Sequence, residues 1–272
     1  MPIPKDVRAR MLRVIRPSAA IKAAFQKRLD ALIGEMHEDI AAHVESLYAR
    51  RPPVAMDATP AQDLATLMRA LARKWRKRFD QAAPELARYF TTAIKDRTDT
   101  QLRNALRKAG VAIKFTMTPE LRDVIAAAVH DNVSLIKSIA TQHLTQVEGI
   151  VMRGVQNGRD AGTITKELQH QFGVTKRRAT FIAQQQVSSL SAATERARHV
   201  ELGVSTIWLH SHGGEVPRPS HLANNGKLYD ARTGWFDPDE KKFILPGQLP
   251  RCRCSAGVIL PSEIKARNLR PV

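Results

Sequence analysis

The feature that most constrains this chain is a change of apolar period at Gly203. Before it, apolar residues recur every three or four positions, which lines one face of an α-helix; after it, they fall in short alternating runs suited to strands. The expected fold class is therefore α+β. Long α-helices, bundle-like in the N-terminal and central parts, precede a small C-terminal α+β domain with short antiparallel strands. With 272 residues, 43% of them hydrophobic and only 5% aromatic, the chain can bury one sizeable core or two smaller ones from the residues that favour packed helices.

Pro17-Ser18 marks a helix start with Ser18 as N-cap. Ile21, Phe25, Leu29, Leu32, Met36, Ile40, Val44 and Leu47 then share a face, so this helix should reach about Tyr48. Arg50-Arg51-Pro52-Pro53 interrupts it. A second helix is expected over 60–81 and a third over 84–108, stopping at Gly110, and 111–117 alternates as a short strand or an extended connector would. Thr118-Pro119-Glu120 caps and starts a helix that should run to about Gln156, with Asn157-Gly158 as its stop. A shorter helix fits 164–172, capped by Thr163 and ended by Gly173, and another fits 175–202, with Ala179, Ile182, Ala183, Val187, Leu190 and Ala193 on its apolar face. Beyond Gly203, strands are expected at 204–210, 227–229, 242–245 and 256–260, with Asn225-Gly226 as a turn in which Gly226 takes positive φ.

Forty-three Lys and Arg against 26 Asp and Glu leave a formal net charge of +17, which suits contact with polyanions without conferring sequence specificity. The run Arg73-Lys74-Trp75-Arg76-Lys77-Arg78 is the densest basic stretch on a predicted helix. Its cations suit phosphate, whereas Trp75 either stacks on a base or tucks into the core; a lone aromatic is no stacking platform, which favours the core. The basic N-terminal arm lacks an apolar stretch for a secretory signal, and no window approaches the ~18 apolar residues of a membrane helix. A soluble protein without a membrane partner is expected.

Between Thr206 and Pro261 lie both cysteines, two of the three tryptophans and His210, His212 and His221. Cys252 and Cys254 are too close in sequence for an ordinary disulfide framework, which fits a reducing setting. His221, Cys252 and Cys254 are borderline-to-soft ligands that could hold a structural zinc, with His210 or His212 as the fourth donor. The other reading is a pair of small buried thiols beside a hydrogen-bonded histidine. His221 could also serve as a base, but no paired carboxylates stand near it in sequence, no glycine loop cradles phosphate and no serine sits in a triad context. Neither a catalytic nor a cofactor-binding residue is assigned, and a non-enzyme is expected.

The order Ile207-Trp208, Arg218-Pro219-Ser220-His221, Asn225-Gly226-Lys227, Pro246-Gly247 and Cys252-Arg253-Cys254 before an apolar strand resembles the C-terminal domain of the phage Mu protein F family. Arg178-Ala179-Thr180-Phe181-Ile182-Ala183, continuing through Glu195, is similar to that domain's helical lead-in, and Asn132 to Ile139 resembles the region before it. The turn 210–215 departs from the family's pattern, with Glu215 as its acidic candidate. The resemblance covers the second half of the chain and implies a minor head, or head morphogenesis, protein of a phage or prophage. It implies a structural part in procapsid assembly at the portal vertex, a location in the virion head after synthesis in the host cytoplasm, contact with portal or major capsid protein, and a role in DNA packaging or ejection.

The basic helices add packaged DNA as a partner, and the alternative reading is a DNA-binding or metal-dependent nuclease-like protein using the His/Cys site. The expected organisation is a basic helical region over 1–118, a long-helix core and lead-in over 119–203, and a strand- and loop-rich domain with the His/Cys site over 204–272.

Overall fold

A computed structural model describes residues 11–12, 14–50, 60–156, 161–209, 218–260 and 265. Among the described residues, four long helices precede the strands: α1 (Ala19–Arg50), α2 (Pro60–Lys108), α3 (Pro119–Gln156) and α4 (Ala161–Leu202). There follow β1 (Ser205–Leu209), a short α5 (Pro219–Ala223), β2 (Leu228–Tyr229), β3 (Trp235–Asp237), β4 (Lys242–Ile244) and β5 (Ser255–Ile259). The α+β class read from the period change is the class found. No helix among the described residues is long and apolar enough to cross a membrane.

Two expected breaks do not occur. Segments 60–81 and 84–108 form one helix with Pro84 inside it. Phe79, Ala83, Ala87, Phe90 and Ile94 are all buried, so the apolar face passes through Pro84 in register, and its burial outweighs the missing N–H donor. Gly173 likewise ends nothing and Thr163 is not a cap, because both lie within the continuous α4. Ile164, Leu168, Thr175, Ala179 and Ile182 keep one buried face across the glycine. The expected caps, in contrast, are in place: the Ile21 N–H donates to Ser18 Oγ at 3.2 Å and the Leu121 N–H to Thr118 Oγ1 at 3.2 Å. Gly203, at φ +61°, closes α4. The predicted Asn157-Gly158 stop lies outside the described residues.

The chain divides into two compact units. One comprises 22–89 and 129–184, and the other 1–21, 90–128 and 185–272. In the first, whose described residues are all helical, the predicted α1 face is buried from Phe25 to Val44, joined by Ile33 and Tyr48, while Leu47 is half-buried, as is Ile21, which belongs to the other unit. Trp75 is tucked in at 5% exposure and donates from Nε1 to Asp39 Oδ2 at 2.7 Å. Lys74 reaches both oxygens of Asp39 at 2.8 Å, and Arg78 lies 3.9 Å from Glu35. The densest basic run is thus partly matched by carboxylates of α1.

In the second unit, β1 is the central strand of a three-stranded antiparallel sheet, β2-β1-β5, and β3 pairs with β4 as a separate hairpin. The strands expected at 227–229 and 242–245 are present one residue shorter, that at 256–260 is present one residue earlier, and that at 204–210 is present from Ser205 to Leu209, with residue 210 outside the described residues. Strand β3 and helix α5 were not foreseen, and 111–117 is an extended connector, not a strand. The period-two alternation of β1 sends neighbours to opposite faces. Ile207 joins Leu228 and Ile259 in one buried cluster, and Trp208 joins Tyr229, Ile244, Leu249, Cys252 and Cys254 in another. The connector supplies Val111, Ile113 and Phe115 to a third cluster of Leu12, Ile15, Leu102, Leu106, Val204 and Val258.

Arg198 ties this unit's helices to the connector. Its guanidinium makes paired bonds to Asp99 of α2 at 2.7 and 2.8 Å, donates to the Thr116 carbonyl at 2.6 Å, and lies 4.6 Å from the centre of the Phe115 ring. A buried guanidinium is stable only when its donors are met in this way.

Candidate metal centre in the strand-bearing unit

His221 sits on α5, a single turn initiated by Arg218-Pro219. Arg218 is extended, as residues before proline tend to be, and Pro219 occupies the first helical position, where no N–H is required. The turn after α5 places Gly226 at φ +83°, the predicted conformation, and its N–H donates to the Trp208 carbonyl at 2.7 Å. Gly234, at φ +80°, precedes β3; a Cβ there would run into the Ile244 carbonyl, so the β3–β4 pairing requires glycine.

Cys252 and Cys254 lie in an extended stretch leading into β5. Residues two apart in such a stretch face the same way, so both thiols are buried while Arg253 between them is exposed. The preceding loop is fixed by backbone and side-chain bonds: Cys252 N–H to the Leu249 carbonyl at 2.9 Å, Arg218 to the Pro250 carbonyl at 3.0 Å, and Arg251 N–H to Gln185 Oε1 at 3.0 Å. Both cysteines are free thiols.

These elements converge on the His221 ring. Cys252 Sγ lies 3.5 Å and Cys254 Sγ 3.6 Å from Nδ1. On the opposite edge, Asp237 Oδ2 stands 3.3 Å from Nε2. The Trp208 ring meets the imidazole edge to face at 5.0 Å between centroids. His221 is 2% exposed, Cys252 5%, Cys254 9% and Asp237 0%. The neighbouring Cys254 thiol, together with His221 and against the opposing effect of burial, holds the Cys252 thiol well below the ordinary range.

Of the four predicted ligands, the structure brings His221, Cys252 and Cys254 together. His210, and with it His212 and Glu215, lies outside the described residues. Asp237 was missed by sequence reasoning, which found no paired carboxylates near His221 along the chain. Its signal was Asp237-Pro238-Asp239, a turn in which the Asp239 N–H donates to Asp237 Oδ1 at 3.0 Å. That bond, and one from the Ser220 hydroxyl at 3.4 Å, orient the buried carboxylate toward the histidine.

Residues 145–257 match the family model described as Phage Mu protein F like protein. The matched segment contains the three donors and Asp237, and it is the family read from the motifs. An uncharacterized protein of Haemophilus influenzae is 29% identical over 164 residues, covering 60% of this chain and 34% of that protein. The chain thus spans about a third of the length of that relative. No solved structure matches the chain.

Proposed function

We propose that this chain is a minor head protein of a phage or prophage, acting structurally in procapsid assembly at the portal vertex and aiding DNA packaging or ejection. The observation that carries this reading is the family match over 145–257, which runs from within α3 through α4 to β5 and points to a phage head morphogenesis protein. Two physical features support it. A net charge of +17 suits residence beside packaged DNA or an acidic capsid interior. The β3–β4 hairpin also holds Phe236 and Phe243 as an edge-to-face pair, 48% and 60% exposed, a surface suited to a portal or capsid partner.

The alternative, a metal-dependent nuclease, requires an open coordination position reachable by substrate. The donors instead lie at 2–9% exposure, an arrangement that favours a closed structural site. Deleting the gene from its phage or prophage should give defective heads that complementation in trans repairs, and the protein should co-purify with procapsids. Particles normal in form, number, DNA content and infectivity without it would contradict this function.

A further inference from the structure

The two sulfurs approach the same atom, His221 Nδ1, at 3.5 and 3.6 Å, and the three donor atoms all lie within 4.8 Å of one another. A neutral imidazole offers one acceptor nitrogen with one lone pair in the ring plane. It therefore satisfies one S–H donor well, and two converging sulfurs call for a different centre. A tetrahedral zinc ion is such a centre. With Zn–S near 2.3 Å and Zn–N near 2.0–2.1 Å, sulfur and nitrogen ligands subtending the tetrahedral angle lie about 3.5 Å apart. The observed separations have that value.

The far side of the ring fits the same arrangement. Zinc-bound histidines commonly direct the other ring nitrogen to a carboxylate, which sets the tautomer and the ring plane. Asp237 Oδ2 is 3.3 Å from Nε2. Nε2 has no other hydrogen-bond partner among the described residues, so this carboxylate is the group placed to receive its N–H. The sequence spacing is explained as well, since an extended Cys-x-Cys turns both sulfurs to one side without a knuckle turn.

We infer that His221 Nδ1, Cys252 Sγ and Cys254 Sγ hold a structural zinc ion, with Asp237 as the positioning residue for the His221 ring. The ion joins α5 to the segment entering β5, in a region whose strands are only two to five residues long. Small modules with little regular structure gain much of their stability from such a link. Among the described residues no fourth His, Cys, Asp or Glu joins the set, so one tetrahedral position is left to another donor. The inference is independent of the head-assembly reading: a metal-free protein could still act in head assembly, and a zinc protein could fail to.

The test uses the full chain, expressed with added zinc and purified under reducing conditions without chelator. Elemental analysis should give one zinc per chain, and exchange with cobalt(II) should produce thiolate-to-metal charge-transfer absorption. Cys252→Ser and Cys254→Ser should each remove that absorption and most of the zinc. Asp237→Asn should retain the cobalt spectrum while weakening zinc affinity ~10- to 100-fold in chelator competition. The wild-type measurement stands even if a cysteine variant fails to fold. The inference is overturned by wild-type protein with both thiols reduced that neither carries nor takes up zinc, or by zinc that persists in both cysteine variants.

Discussion

His143, in the all-helical unit, and His221, in the strand-bearing unit, are both sealed from solvent. His143 Nδ1 meets the Thr175 hydroxyl at 2.8 Å, and its ring lies edge-on to His37, which is itself stacked on Phe172. No carboxylate pairs with it among the described residues, and burial, aided by the nearby His37, pushes its pKa down to about 4. His221 has two sulfurs at one nitrogen and a buried carboxylate at the other. Burial alone makes a neutral packing histidine; converging soft and anionic donors make a ligand. The two units extend that contrast, one resting mainly on apolar helix faces and the other combining apolar clusters with more buried polar groups that must be matched.

The largest effect should come from unmatching such a group. Asp99→Ala removes the carboxylate that bonds the buried Arg198 guanidinium twice and leaves it Glu201 at 2.6 Å, which should cost about 3–4 kcal/mol. Denaturation followed by hydrogen exchange should show the strand-bearing unit opening first. Equal loosening of both units would erase the contrast between them.

A smaller effect follows from acid. The folded pKa of His143 lies below the unfolded value of 6.5. Between pH 6.5 and about 4 the unfolded state therefore binds the extra proton, and stability falls as pH drops through that window, by up to about 3 kcal/mol. In the strand-bearing unit His199, lowered to about 3 by burial, acts in the same direction. His143→Gln should remove only the helical unit's share, seen as a flatter urea midpoint between pH 7 and 5; an unchanged slope would contradict the neutral reading of His143. Smallest of the three, Trp75→Phe removes the bond to Asp39 but keeps the packing, and should lower stability by about 1 kcal/mol in urea denaturation.

The helical unit was the more legible in the sequence because each residue's role follows from its own period. Phe25 to Val44 and the tucked Trp75 needed no knowledge of a distant partner, and the Ser18 and Thr118 caps of the other unit, equally local, were legible for the same reason. The same local reasoning failed at Pro84 and Gly173, where local breaking tendencies were set against a buried face that continues on both sides. In the strand-bearing unit, His221, Cys252 and Cys254 were legible as chemical types in a recognisable order. Asp237 and the Arg198–Asp99 pair were not, because nothing along the chain indicates which carboxylate meets which base across so long a separation. The pairing of β3 with β4 places Asp237, and the approach of α4 to α2 places Arg198 against Asp99.

The contrast between the two histidines is tested most directly by anomalous X-ray diffraction across the zinc absorption edge, on crystals of the full chain purified without chelator. A zinc peak about 2.3 Å from both Cys252 Sγ and Cys254 Sγ and about 2.0–2.1 Å from His221 Nδ1, with none at His143, is the predicted result. Reduced thiols with no peak between them, or a peak at His143 instead, would contradict it.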